Sequence, residues 1–340
     1  MGKEVKKVLV ATNHLEGVGG SELYTYDLIK ALSELLGIEV EYFTFDKGLI
    51  SDKIEGELKV PFMSKKKYDL IFANHNTTVR ELFSRAPIIQ ICHGVLPELE
   101  QPSPLADFHV AISEEVSLHL NELGYQNEVI LNGIDIQTKK PTSSPNQKLK
   151  RVLSLCQSEK ANIALKEICA SKGLDFSSYN KHKNPIIEVE KVINRFDLVV
   201  GIGRSIYDAM ACGRPCLIYD NRGYNGNRAD GYLRPEKFWK YITKNCSGRY
   251  LNRQYKETEL IREMEKYDPK DGERLREIAL STLNAHDMAR NLLLMTDYLT
   301  WQNRLNKWKR FTSNTKLVKR AFFYKRIYNA TKWTYFNKTY

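Results

Sequence analysis

Short β-branched runs alternate with helix-length amphipathic segments through most of this 340-residue chain. No other feature limits the possible folds as much. KKVLVAT (6–12) reads as a buried strand. SELYTYDLIKALSELLG (21–37) follows with Leu28, Ala31, Leu32, Leu35 and Leu36 on one helical face. Next come strand-like IEVEYFTF and YDLIFAN, a short helix near TVRELFSR, the apolar run PIIQICHG and the strand FHVAI. The helix SEEVSLHLNELG, with Ser113 as its N-cap, and the strand NEVILNGI complete the unit. Such alternation implies a parallel sheet covered on both faces. TKKPTSSPNQK (138–148) interrupts it as a polar linker. The pattern then resumes through LKRVLSLC, KANIALKEICASKG, EVEKVINRF, DLVVGIG, SIYDAMACG and RPCLIYD, with four or five strands expected. Helices dominate from Arg234.

The expected class is therefore α/β. Two doubly wound Rossmann-like domains, 1–137 and 149–297, face each other across a cleft, and a helical tail spans 298–340. No run of eighteen apolar residues suggests a membrane span. VLVAT after the N-terminal lysines is too short for a signal-peptide core, so a cytoplasmic location is expected. The six cysteines show no metal-ligand spacing and read as small buried hydrophobes.

The net charge of +11 resides in the tail. No acid follows Asp297, and eleven of the 52 Lys and Arg lie beyond it, so the preceding 41 balance the 41 acids. The tail also holds three of the four tryptophans. Cations mixed with Trp and Tyr suit the anionic face of a membrane. Nucleic acid is a lesser alternative, and packing against the protein's own first domain is a third.

In open parallel sheets ligands gather at the carboxyl ends of strands, and four clusters fall there. NHLEGVGGSELY places Gly17, Gly19 and Gly20 where backbone can approach a ligand, with Ser21 opening a helix. Its spacing is neither GxGxxG nor a Walker loop, which disfavours a dehydrogenase or P-loop NTPase. ICHG sets His93 at a strand end, and LNGID (131–135) precedes the linker. GIGRSIYDAMACGRP (201–215) sets the amides of Gly203, Arg204 and Ser205 toward an anion, with the guanidinium of Arg204 beside them and Asp208 one turn on. An anion site next to a carboxylate that can hold a diol describes a nucleotide.

These clusters, in this order, resemble the GT-B glycosyltransferases, in particular the large retaining group called family four. The resemblance rests on GGSE (19–22), the strand-end His93, AISEEVSLHL, NGID and DAMACGRP (208–215). It implies transfer of a sugar from a nucleotide-diphosphate donor to a glycan or lipid-linked acceptor with retained anomeric configuration. Asp208 would bind the ribose. Gly19, Gly20, the Gly203–Ser205 amides and Lys160 would hold the diphosphate, and His93 would sit in the catalytic site beside the donor sugar. No D-x-D motif appears, so no metal or other cofactor is expected. The chain departs from the family at two points. Val200 stands where the first acid of the pair belongs, and Cys156 and Gln157 stand near the place of an expected arginine, whose charge Arg204 could supply. One strand–helix pair between Phe176 and Glu188 is also expected to be missing. Two alternatives follow: glycosylation of modified DNA bases, and a non-catalytic nucleotide-sugar-binding subunit.

Overall fold

The computed structural model describes residues 7–299 apart from His182, together with Leu305 and Lys307. The first domain runs β1 (Lys7–Ala11), α1 (Gly20–Ser33), β2 (Glu39–Phe43), α2 (Leu49–Lys53), β3 (Leu70–Ala73) and α3 (Asn76–Leu82). It continues through β4 (Ile88–Cys92), β5 (Phe108–Ala111), α4 (Glu114–Glu122) and β6 (Asn127–Val129). Its six strands form one parallel sheet in the order β2-β1-β3-β4-β5-β6. β1, β3, β4 and β5 are buried nearly throughout, as strands covered on both faces must be. α1 buries Leu28, Ala31 and Leu32 as its periodicity requires, but ends at Ser33, so Leu36 lies fully exposed beyond it.

The second domain contains β7 (Arg151–Ser154), α5 (Glu159–Ser171), β8 (Asp175–Ser178), α6 (Val189–Ile193), β9 (Leu198–Gly201) and α7 (Arg204–Ala211). β10 (Cys216–Arg222), β11 (Gly226–Tyr232), α8 (Phe238–Tyr241), α9 (Glu257–Met264) and α10 (Pro269–Thr282) follow. The sheet order is β11-β10-β9-β7-β8, parallel except for the antiparallel β10–β11 edge. β8 fills the stretch expected to lack a strand. It sits at an edge with only Phe176 apolar, too weak a signal to read from sequence.

The chain then returns to the first domain. α11 (Ala285–Leu294) packs on α1, and its Ala285, Met288, Ala289 and Leu292 belong to the first domain's core. A boundary at 297 therefore places α11 with the wrong core: its apolar face is covered by β1-domain residues. NGID is where the crossings meet. Ile134 and Asn284 form an isolated parallel bridge, Ile134 N donates to Leu283 O (2.8 Å) and Ala285 N to Ile134 O (3.0 Å). A Cβ on Gly133 would stand 2.6 Å from Ala285 Cα, so glycine is required for this close approach. The fold places the carboxyl ends of both sheets around one cleft.

Candidate active site

The cleft is a cavity of about 790 Å³ lined from both domains. From the first come the Val18–Leu23 loop and the segment after β4, including His93, Gly94 and Glu100. From the second come the ends of β7 and β8, the start of α7, and Asn221–Tyr224 at the end of β10.

The wall built by α7 starts at Gly203, whose φ of +58° and ψ of −126° suit glycine alone among common residues. That turn is pinned: Gly203 N donates to Cys246 O at 3.0 Å, and Tyr207 Oη donates to Asn245 Oδ1 at 2.8 Å. The Gly203 amide is thus committed to the protein, a correction to its expected place in an anion cradle. The amides of Arg204 and Ser205 open the helix, where no preceding turn offers them carbonyls, and both residues line the cleft.

Behind them four buried charges interlock. Asp27 of α1 accepts from Arg204 Nη2 and, at 3.4 Å, from Lys139 Nζ, and takes the Asp135 amide at 3.1 Å. Asp208 lies 3.7 Å from Arg204 Nε and 3.9 Å from Lys139 Nζ. Against the penalty of burial, Lys139 and Arg204 hold Asp27 below the usual carboxylate range. For Asp208 burial wins, and its pKa is raised despite the same two cations. The network leaves Arg204 Nε and Nη1 and Asp208 Oδ1 buried without a hydrogen-bond partner. Buried polar atoms without a partner are costly, and the two residues that carry these three line the cavity.

The facing wall carries the GGSE loop. Gly19 and Gly20 line the cleft, and a Cβ on Gly19 would stand 2.5 Å from Glu22 Oε2, so the glycine makes room for that carboxylate. Ser21 Oγ donates to Glu22 (2.8 Å) and His14 Nε2 approaches it at 3.4 Å. These partners overcome burial and lower the Glu22 pKa, while the Glu22 contact raises that of His14. His75 accepts the Asn13 amide at Nδ1 (3.1 Å), and burial pushes its pKa down to about 4. His93 meets Tyr24 edge-on at 4.6 Å and Asn74 Oδ1 at 3.3 Å. Burial, with His75 and Arg204 adding repulsion, pushes its pKa down to about 3, so it is a neutral imidazole at ordinary pH.

The structure thus brings Gly19, Gly20, His93, Gly203, Arg204, Ser205 and Asp208 around one cavity. Lys160 is not among them. Ser158 caps α5 and Ala161, Leu165 and Ile168 take its buried face, which leaves Lys160 exposed outside the cavity lining. Its expected diphosphate contact is not supported by that position. Val200 lies inside β9, buried with Val152, Cys156 and Leu217, so that position faces the core and not the cleft. Cys156 is buried likewise, whereas Gln157 does reach the cleft. Asp27, Lys139 and Glu100 were missed from sequence. Asp27 was findable: with Tyr24, Leu28 and Ala31 it shares the apolar stripe of α1, where an acid demands a partner.

No protein-family model and no curated protein matches this chain. Solved structures do. A UDP-N-acetylglucosamine 2-epimerase superposes with a TM-score of 0.53 at 10% identity, over 86% of this chain and 97% of that one. The S. aureus MnaA–UDP structure gives 0.51 at 13% identity, over 86% and 96%. A Thermobaculum terrenum O-GlcNAc transferase mutant gives 0.51 at 9% identity, over 91% and 69%. At such identities the likeness speaks for the fold. Two sheets of this topology, a cleft between their carboxyl edges and a terminal helix returning to the first domain agree with it: the chain has the GT-B fold.

Proposed function

We propose that this protein is a glycosyltransferase that moves a sugar from a nucleotide-diphosphate donor to a glycan or lipid-linked acceptor. The observation that carries this reading is the unsatisfied trio on the α7 wall: Arg204 Nε and Nη1 as donors and Asp208 Oδ1 as acceptor. A diphosphate suits the two donors together with the Arg204 and Ser205 amides, and a ribose hydroxyl suits the acceptor.

As the bond from the anomeric carbon to the diphosphate breaks, its electron pair leaves with the phosphate oxygen. Amides and a guanidinium fixed in advance at that oxygen stabilise the growing charge as an oxyanion hole does. The guanidinium needs no reorganisation because Asp27 already holds it. The transfer is proposed to proceed without a metal ion; this inventory of donors, and no D-x-D segment, supports it. Neutral His93, which lines the cavity against Tyr24 and Asn74, is proposed to meet the donor sugar. With Val200 in the core, Glu22 is proposed as a carboxylate of the opposite wall that meets sugar hydroxyls. Retention of the anomeric configuration follows from the sequence resemblance.

The test is release of nucleoside diphosphate from a panel of UDP-, GDP- and TDP-sugars in the presence of EDTA. Turnover with at least one donor is expected. Failure with every donor, with and without Mg²⁺ or Mn²⁺, removes the reading; turnover only with metal removes metal independence. The acid-free tail supports a peripheral membrane role for an enzyme of lipid-linked acceptors. Salt-reversible sedimentation with anionic liposomes is expected, and no sedimentation at low salt contradicts it.

A further inference from the structure

The segment from Arg234 to Lys256 carries seven Lys or Arg and one acid, Glu236, in a chain whose charges otherwise balance as far as Asp297. Two of these cations are spent inside the protein: Arg234 approaches Asp271 at 3.9 Å, and Arg249 is forked on Glu115 of α4. Lys237 and Lys240 are exposed and Lys244 half-buried, and none of the three has an ion-pair partner among the described residues.

Apolar side chains stand out among them. α8 and the 3₁₀ turn Ile242–Lys244 bury Phe238, Tyr241 and Ile242 on one face, which leaves Trp239 on the other, 56% exposed. Tyr250 and Leu251 are exposed in the turn that follows. The Tyr241 ring meets Tyr250 at 5.4 Å and joins helix and turn. The fold fixes that turn against β11: Leu251 N donates to Asp230 Oδ1 (2.7 Å), Arg228 Nη1 to Asn252 O (3.1 Å) and Ala229 N to Arg253 O (3.0 Å). The same segment borders the cleft. Asn245, Ser247 and Arg249 line it, and the 3₁₀ turn packs on α4, where Leu118, one turn beyond Glu115, is also exposed.

A single exposed apolar side chain means little. An indole, a phenol and leucines among unpaired cations match the boundary between lipid headgroups and acyl chains. Rings and leucines enter it, and ammonium groups meet the lipid phosphates. A nucleic acid would take the cations but gives the leucines little to bury. We propose that this face, with Trp239, Tyr250 and Leu251 beside Lys237, Lys240 and Lys244, docks on an anionic lipid surface at the mouth of the cleft. The proposal rests on the peripheral membrane reading given above for the tail and moves the contact to the folded second domain. An acceptor carried by that surface then reaches the cleft without leaving it.

All six native cysteines are buried, so one introduced at the surface can be labelled alone. Full-length Leu251→Cys and, as a control at an exposed site on the first domain, Leu36→Cys are labelled with a nitrobenzoxadiazole dye. Each is mixed with vesicles of phosphatidylcholine, alone or in equal parts with phosphatidylglycerol. A salt-reversible blue shift and gain of intensity are expected at 251 with the anionic vesicles, and none at 36. Adding Lys240→Ala and Lys244→Ala should weaken the binding read at 251 about tenfold or more. Sedimentation with vesicles while the probe at 251 stays silent, or responds no more than that at 36, overturns the proposal and leaves the tail as the contact. No sedimentation at low salt overturns it together with the membrane reading. A probe at 251 already blue-shifted without vesicles means that the chain itself covers this face. A response to DNA or RNA that vesicles do not produce means a nucleic-acid surface, and either result overturns the proposal.

Discussion

Asp27, Lys139, Arg204 and Asp208 form a buried quartet of two acids and two bases that spans both domains and the linker. Removing one member strands its partners' charges away from water. Asp27→Ala is therefore expected to destabilise the fold by about 3–5 kcal/mol in urea denaturation, and a loss under 1 kcal/mol would contradict the quartet's structural weight. His75 and His93 add a pH dependence with a definite sign. Unfolded, each binds a proton near pH 6.5; folded, they do so only near 4 and 3. Their contribution to stability is complete above pH 6.5 and is lost as pH falls below it, since the unfolded chain then binds more protons. The melting temperature should drop between pH 7 and 5, and His75→Asn, whose Oδ1 can replace the Nδ1 acceptor, should flatten that drop. An equally steep drop in the variant would exclude His75 as its source. Asp208, Arg204 and His93 were legible because strand ends in parallel sheets are where ligands bind. Glu100 was not, because only the fold brings its loop against Gly94 at the cleft.

At the scale of elements, α7 and the crossing at NGID do most of the positioning. The sequence showed α7 plainly: a buried strand, two glycines, then a helical face of Ile206, Tyr207 and Met210. It did not show that the Gly203 amide is spent on Cys246, a partner 43 residues away fixed only by the fold. β11 escaped notice because GNRADGY carries two glycines and little alternation, and it pairs because the chain turns back at the sheet edge. NGID read as a strand end before the linker, and its work appears only when α11 returns against it. Gly133→Ala would push a methyl into the Ala285 backbone, where little can yield. A loss of about 1–3 kcal/mol is expected, by analogy with overpacked cores. Unchanged stability in chemical denaturation would show that the crossing tolerates separation.

For the whole molecule, the two domains are tied by Arg204–Asp27, by the forked Arg249–Glu115 pair and by the return of α11. Beyond α11, Tyr298 stacks on Phe108 at 4.7 Å, and Lys307 reaches Asp107 at 2.8 Å, so these two residues of the tail rest on the first domain. The rest of the tail, 300–304, 306 and 308–340, with its three tryptophans, lies outside the described residues. The two-domain plan was legible from alternation alone, since a parallel sheet leaves few other arrangements. The domain boundary was not, because α11 is amphipathic and its apolar face names no partner. What the assembled cleft exists to hold is the central question. Calorimetric titration of UDP, GDP, TDP and ADP into wild type and Arg204→Lys, a change that keeps the charge facing Asp27 and removes the free fork, addresses it directly. Saturable binding of at least one nucleoside diphosphate is expected, weakened about tenfold or more by Arg204→Lys, the loss of one or more charge-assisted hydrogen bonds. No binding by wild type, or equal affinity in the variant, would contradict a nucleotide site at the start of α7.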